Sequence, residues 1–450
     1  MGRATRARAL SVWANGERVG TWTLPARGEM AFVYDTGWMA SEAGRPLSLS
    51  MPFTGAQALR GAPVNNYFEN LLPDSENIRK RLATRFKTDT LQAFDLLEAI
   101  GRDCVGAIQL LGVDESPTHV ASIVGTPLTE AEVEDLLLQA SGAGTHPGGE
   151  DHDDLRISLA GAQEKTALLW HGGQWKRPHG STPTTHILKL PIGLVGARKA
   201  DFGTSVENEW LCMELLREFG LPTAKAEILQ FGGQKVLSVE RFDRQMHASG
   251  TWLLRLPQED FCQATGIPPH RKYETDGGPG IVDIARVLAG SVHAKADLQN
   301  FLKAQLLFWM MAAPDGHAKN FSLRILPRGR YALTPLYDVM SIWPVEGNGA
   351  NQFSWYQAKL AMALHGKNRH YRFKDIQRRH FNATAARFFQ RESAEDVIEA
   401  VLEDLERVIA TVTARLPATY PERVAVAIFA GLRRTATLLA NSPSAGVRAR

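Results

Sequence analysis

An α+β chain in two parts, a β-rich front and a helical back, is what this sequence predicts, and three observations carry the expectation. Strand-like alternation recurs up to about Gly250, a helical apolar period dominates beyond it, and the helical half is interrupted by a short turn dense in Asp, His, Lys and Asn. The chain has 450 residues, 44% hydrophobic and 22% charged, enough for two or three cores and too apolar for a disordered chain. A net charge of +3 permits an anionic partner without the excess of a dedicated nucleic-acid coat.

The elements follow in order. Leu10, Val12 and Trp13 precede Asn15-Gly16, and Val19, Trp22 and Leu24 follow it, the pattern of two strands around a tight turn. Helical spacing in Tyr67–Leu72, Ile78–Phe86 and Leu91–Ile100 completes an amino-terminal α/β subdomain over residues 1–114. Residues 115–154 read as a linker holding one amphipathic helix, Glu130–Ala140, and then a loop from Ser141 to Gly149; its continuation, Glu150 to Asp154, reads as a solvated acidic loop rather than a metal site. Strands are expected from Leu155, then a helix Val206–Phe219 ended by Gly220 and Pro222, then strands Ala226–Gln230 and Val236–Arg241, so that residues 115–250 make a second module. Residues 251–450 are expected to be all-helical, with helices at Ile281–Leu288, Leu298–Ala312, Ile376–Arg387, Ala394–Leu416 and Arg423–Leu439 and a frayed basic end at Arg448-Ala449-Arg450.

Cys104, Cys212 and Cys262 are widely separated and never in a CxxC arrangement, which argues against a disulfide framework or a structural zinc site and fits a reducing cytoplasm. Met1 to Arg6 lacks the apolar stretch of a targeting segment and has Arg6 where myristoylation needs Ser or Thr. Phe301–Ala313, interrupted by Lys303 and Gln305, is too short to span a membrane and reads as a buried helix.

Chemistry enters with Asp315-Gly316-His317-Ala318-Lys319-Asn320 and Tyr337-Asp338. In a protein kinase one Asp orients the attacking hydroxyl, an Asn five residues later holds Mg²⁺, and a downstream Asp grips the metal across the β- and γ-phosphates. Asp315, Asn320 and Asp338 stand at that spacing. The hexapeptide alone equally suits a turn whose side chains bond local backbone. Ser158-Leu159-Ala160-Gly161-Ala162-Gln163-Glu164-Lys165 has the small residues that let backbone N–H groups approach a phosphate, and a tight hairpin would use the same residues. Lys189, on the apolar stretch Thr185–Pro191, suits α- and β-phosphates with Glu209 or Glu207 on the following helix to hold it; an edge-strand lysine facing water is the alternative. Glu240-Arg241-Phe242 closes the last strand before the helical half, where a hinge would offer backbone groups to adenine. A β-rich front, a helical back and this motif order are the plan of a two-lobed protein-kinase-like fold.

Together these segments closely resemble the HipA family of bacterial serine/threonine kinase toxins. The residues carrying the resemblance are Ser158–Lys165, Thr185–Pro191, Val239–Arg244, Arg255–Asp260, Lys272–Gly280, Asp315–Asn320 and Leu333–Asp338, with the front module similar to the family's amino-terminal subdomain. The resemblance implies ATP and Mg²⁺ as cofactors, Asp315 as the catalytic residue, Asn320 and Asp338 as metal ligands, and Lys189 as the phosphate-pairing lysine. It implies nucleotide contacts from Ala160, Gly161, Ala162, Gln163, Glu164, Lys165, Glu240, Arg241, Phe242, His317, Ala318, Lys319 and Tyr337, and autophosphorylation at Ser158 that expels the phosphate loop. It further implies a helix-turn-helix antitoxin partner similar to HipB, operator DNA bound through that complex, an aminoacyl-tRNA synthetase, typically the glutamyl enzyme, as substrate, and growth arrest or persistence as the outcome. Pro314 departs from the family pattern, in which a small polar residue precedes the catalytic Asp, and proline restricts Ala313 as well as itself.

Two other functions compete. A kinase of sugars or antibiotics would share the plan, and a pseudokinase corepressor would only bridge antitoxin and DNA, although the complete set of Lys189, Asp315, Asn320 and Asp338 argues against the latter. The basic stretch Lys367, Arg369, His370, Arg372, Lys374, Arg378, Arg379 and His380 suits phosphate neutralisation on DNA or, equally, a solvated face of the helical part.

Overall fold

The computed structural model describes residues 7–55, 57–142, 157–161, 163–195 and 199–442. The chain forms two compact units, neither contiguous in sequence: Met1–Leu190, Leu229–His270 and Ser322–Tyr331 make the first, and Pro191–Ile228, Arg271–Phe321 and Ala332–Arg450 the second.

The first unit holds two main sheets. One is antiparallel, in the order Leu59–Arg60, Ala31–Tyr34, Glu17–Leu24, Arg8–Ala14, Ile108–Gly112. Its first hairpin turns at Asn15 and Gly16, with φ of 49° and 88°, the pair of left-handed residues that matches the twist of flanking strands. Trp22 stacks on Phe68 at 3.9 Å and lies against Phe94, so the sheet's inner face is closed by the helices Ala62–Glu69 and Ala93–Ile100. The first of these starts earlier than the spacing of Tyr67–Leu72 suggests, because Pro63 seeds its first turn.

The other sheet runs Ala226–Phe231, Gln234–Glu240, His186–Lys189, Lys165–His171, Gln174–Pro178, Gly125–Pro127, and the last three residues of its first strand belong to this unit. Here the linker expectation needs correction. Gly125–Pro127 forms the sheet's edge, and the helix Glu130–Ser141, started by a reciprocal Thr129–Glu132 cap, buries Val133, Leu136 and Leu137 against Leu168, Leu188 and Val236. The loop Ala143–Gly149 and the acidic run Glu150–Asp154 lie outside the described residues, as do Leu155 and the basic end Arg448–Arg450.

A buried ionic cluster ties the amino-terminal sheet to the second one. Asp103 meets Arg241, Arg244 and Arg255 at 3.4, 2.9 and 3.2 Å, and Asp243 meets Arg241 and Arg244 at 2.8 and 3.1 Å. Thr184 Oγ1 donates to Asp103 at 2.6 Å, Gly106 N–H donates to Asp243 at 2.8 Å, and the arginines donate to the carbonyls of Cys104, Gly106 and Ser181. Burial alone would raise the Asp103 carboxyl, but Arg244, Arg241 and Arg255 hold it well below the usual carboxylate range. Burial and the Arg241 charge push the Arg244 guanidinium down to about 10.

Glu259, fully buried on the strand Gln258–Asp260, accepts the Leu49 N–H at 2.9 Å and is pushed up to about 8 by burial. Its carboxyl keeps a proton in the folded chain that the unfolded chain releases near its ordinary value of 4.5. The folded state therefore binds the extra proton between these limits, and stability falls as pH rises through that window. We expect a loss of roughly 3 kcal/mol between pH 5 and pH 8, read from urea unfolding, and expect Glu259→Gln to flatten it. An unchanged slope in the variant would assign the pH dependence elsewhere.

In the second unit the helix Ala294–Met310 is the core: Leu298, Phe301, Leu306, Leu307 and Trp309 are all buried, as the reading of Phe301–Ala313 requires. Helices Ile281–Leu288, Ser205–Glu218, Arg378–Phe388, Glu395–Thr413 and Glu422–Ala440 complete the unit. The all-helical expectation is corrected by a β-hairpin, Lys359–His365 with Arg369–Arg372, inside the carboxy-terminal part. Its strand Leu360–Leu364 is buried on both faces, so no alternation marked it as a strand. Among the described residues no helix is long and apolar enough to cross a membrane, and the buried Cys104, Cys212 and Cys262 form no disulfide.

Candidate active site

The site in the second unit begins where the core helix stops. Ala312 turns the chain at φ 49°, and the Ala313 N–H closes the helix end on the Phe308 carbonyl at 2.8 Å. Pro314 follows without preventing the turn: the His317 N–H donates to the Asp315 carbonyl and the Asn320 N–H to the His317 carbonyl, at 2.8 and 2.9 Å. Gly316 is required by packing, since a Cβ there would stand 2.5 Å from the Phe308 ring. Asp315 is left with its carboxylate half exposed, whereas His317, Ala318, Lys319 and Asn320 are buried.

Asn320 binds the two acidic residues into one site. Its amide nitrogen donates to the Asp315 carbonyl at 2.7 Å and to the Asp338 carbonyl at 3.4 Å, so that of its two amide atoms only the oxygen has the chemistry to meet a cation. Asp338 has φ 61°, and the preceding Tyr337 donates its hydroxyl to the Lys319 carbonyl at 2.9 Å. Just downstream, Ser341 exchanges both its backbone groups with the Asn208 side chain at 2.7 and 2.9 Å, and its hydroxyl donates to the Met311 carbonyl at 2.5 Å. Asn208 stands on the helix Ser205–Glu218 beside buried Glu207 and Glu209. The structure therefore brings together Asp315, Asn320 and Asp338, and adds Asn208 and Ser341, which the sequence did not single out. One or two carboxylates with an amide oxygen fit Mg²⁺, which keeps waters and takes its remaining ligands from phosphates; no group of three or more His, Cys, Asp or Glu suited to a metal exists among the described residues.

Lys272–Gly280, whose role the sequence left open, docks on this turn. The Ala318 N–H donates to the Lys272 carbonyl at 3.2 Å, and the Tyr273 hydroxyl donates to Asp315 Oδ1.

In the first unit Lys165 and Lys189 are direct cross-strand neighbours on antiparallel strands, and Lys189 is buried. The loop before Lys165 is anchored: the Asp74 N–H donates to the Gly161 carbonyl at 3.0 Å, Gln163 donates to the Leu190 carbonyl at 2.5 Å, Arg81 pairs with Glu164, and the Lys165 ammonium folds back over Gly161. Ala160 is half-buried, and Ala162 lies outside the described residues. Ser158 is fully buried, its hydroxyl donating to the Leu71 carbonyl at 2.8 Å.

Glu240 is exposed and Phe242 half-buried at the end of their strand, whereas the Arg241 side chain is committed to the ionic cluster. The Arg241 side chain thus serves a structural role, which leaves the expected backbone contact with adenine untouched; Arg255 in the same cluster supplies a reason for the segment Arg255–Asp260, and Asp260 caps the helix after it. The basic stretch divides into a buried and an exposed part. It lies on the hairpin and the helix after it, Arg378 is paired with Glu395 and Glu399, and His380 is buried, stacked 3.8 Å from His370 and driven down to about 4 by burial and its cationic neighbours. Lys367, Arg369, Arg372, Lys374 and Arg379 stay exposed.

Comparison with known proteins defines the class. Residues 10–111 match the HipA N-terminal domain and residues 157–409 the HipA-like C-terminal domain. The kinase-like protein Y4mE of Sinorhizobium fredii is 36% identical over 338 residues, covering 74% of this chain and 77% of that one. The serine/threonine-protein kinase toxin HipA of Shewanella oneidensis is 28% identical over 343 residues, 74% of this chain and 72% of its own. In fold, the chain superposes on the HipA of the Shewanella oneidensis MR-1 complex of HipA, HipB and operator DNA with a TM-score of 0.74 at 23% identity, covering 94% of this chain and 97% of that one. The class is that of the kinases. The chain belongs to the HipA family of kinase toxins.

Proposed function

We propose that this chain is an ATP- and Mg²⁺-dependent serine/threonine protein kinase, the toxin of a toxin–antitoxin pair, and that an aminoacyl-tRNA synthetase, the glutamyl enzyme first among them, is its substrate. The observation that carries the reading is the turn Asp315–Asn320 fastened to Asp338 through the Asn320 amide. In this reading Asp315 aligns the acceptor hydroxyl and takes its proton, while Asn320 and Asp338 hold Mg²⁺. When bound, the metal neutralises charge developing on the transferred phosphoryl group. In the first unit Lys165, Lys189 and the Ser158–Lys165 loop hold the phosphates, and Glu240 and Phe242 flank adenine. A helix-turn-helix antitoxin and its operator are the proposed partners; the Shewanella relative is found in a complex of HipA, HipB and operator DNA.

Ser158 is the proposed autophosphorylation site. Its buried hydroxyl becomes an acceptor only when the loop leaves Leu71, and a phosphate of nearly two negative charges prevents the loop from returning to its buried seat. The test incubates the protein with Mg-ATP and maps the modified peptide, then induces the wild-type and Asp315→Asn chains without antitoxin. Phosphate on Ser158, growth arrest by the wild type alone and a fall in aminoacylated glutamate tRNA are expected. Modification elsewhere rejects the Ser158 assignment, equal arrest by both chains rejects kinase-dependent toxicity, and unchanged aminoacylation during arrest rejects the glutamyl enzyme.

A further inference from the structure

Asp315 is the one member of the site whose carboxylate stands half exposed on a turn, without the packing that fixes its neighbours. A general base in that setting needs something to hold its rotamer, because misplacing the reacting oxygen by about 1 Å costs on the order of a hundredfold in rate. The structure supplies a support. Tyr273 donates its phenolic hydroxyl to Asp315 Oδ1, and its ring stands edge-on to His317 at 5.0 Å and 89°.

The tyrosine arrives on a loop secured from several directions. The Tyr273 carbonyl accepts the N–H groups of Asp276 and Gly278, each at 3.0 Å, and the Lys272 carbonyl accepts that of Ala318 at 3.2 Å. Glu274 accepts the Ala363 N–H at 2.6 Å and pairs with Arg369 at 3.4 Å. A Cβ on Gly278 would lie 1.9 Å from the Arg271 carbonyl oxygen, so the loop closes on its own backbone. These bonds describe a fixed bracket rather than a lid.

We propose that Tyr273 is a positioning residue for phosphotransfer: by occupying Oδ1 it fixes the Asp315 carboxylate and leaves Oδ2 to meet the acceptor hydroxyl. An ionised carboxylate has acceptor capacity on both oxygens, so the bond to Tyr273 orients the base without consuming it. The inference rests on the kinase reading given above.

The test compares wild type and Tyr273→Phe, which keeps the ring against His317 and removes only the hydroxyl. Initial rates of self-phosphorylation are followed by intact mass across a range of Mg-ATP concentrations, with thermal unfolding and binding of a fluorescent ATP analogue measured on the same samples. The expected result is a maximal rate lowered about tenfold or more, with half-saturating ATP, analogue affinity and melting temperature unchanged. An equal maximal rate overturns the proposal. A faster variant also overturns it, by showing that the tyrosine blocks the acceptor's seat; a raised half-saturating ATP at equal maximal rate overturns it by placing the effect on nucleotide. Absence of transfer by the wild type removes the kinase reading itself, and is seen independently of the variant.

Discussion

Asp315→Asn and Asp338→Asn are each expected to lower phosphotransfer by on the order of a thousandfold or more while leaving the fold intact. The two lose activity for different reasons. Asparagine at 315 keeps the size of the side chain and can still accept from Tyr273, but it cannot take a proton from an acceptor hydroxyl. Asparagine at 338 removes a charge from the proposed metal site, while its backbone carbonyl still accepts from Asn320. Neither carboxylate supports the core, since Asp315 is exposed and Asp338 only partly buried. Phosphate transfer and circular dichroism of purified variants check the claim. Near-normal transfer by either variant would remove that residue from the chemistry, and lost circular dichroism would show a structural role instead.

Asp103→Asn is expected to be the most destabilising single change in the first unit, by about 3–5 kcal/mol. Asp103 is the only acid shared by Arg241, Arg244 and Arg255 among the ion pairs of the described cluster, and all of these side chains are buried. Removing its charge leaves Asp243 facing Arg241 and Arg244, with Arg255 buried and uncompensated. The size of the effect comes from stranded charge rather than from the intrinsic worth of the pair. Urea unfolding measures it. A loss below about 1 kcal/mol would mean that water reaches the cluster and screens it.

Local chemistry was legible in the sequence where it was locally encoded. Asn15-Gly16 specified its hairpin because two successive left-handed residues admit few other turns. The helix Ile281–Leu288 was found at its observed ends because its apolar face repeats with the helical period, and Asp315, Asn320 and Asp338 stood out by spacing. What escaped was non-local. Nothing near Asp103 announces arginines 138 to 152 positions away, and the Tyr273 bond to Asp315 spans 42 positions. That Lys165 and Lys189 stand opposite each other follows only from strand register. The hairpin at Lys359–Arg372 was missed because a strand buried on both faces, rich in Ala, Leu and Met, has no alternation to detect.

The interleaving of the two units along the chain also has a consequence for how the molecule is made. A ribosome delivers residues in order, yet the first unit lacks a strand until Ser322–Ile325 emerges, and Asn15 must wait for Arg255, 240 positions later, to donate its 2.9 Å bond. The second unit waits longer still: the Thr435 hydroxyl closes on the Met310 carbonyl, at the end of the core helix that leads to Asp315, only after most of the chain has been synthesised. Closing such distant contacts is slow compared with forming a helix. The nascent chain therefore carries Asp315 well before it carries the packing that sets the turn, so the candidate site is completed only when almost the last helix is out.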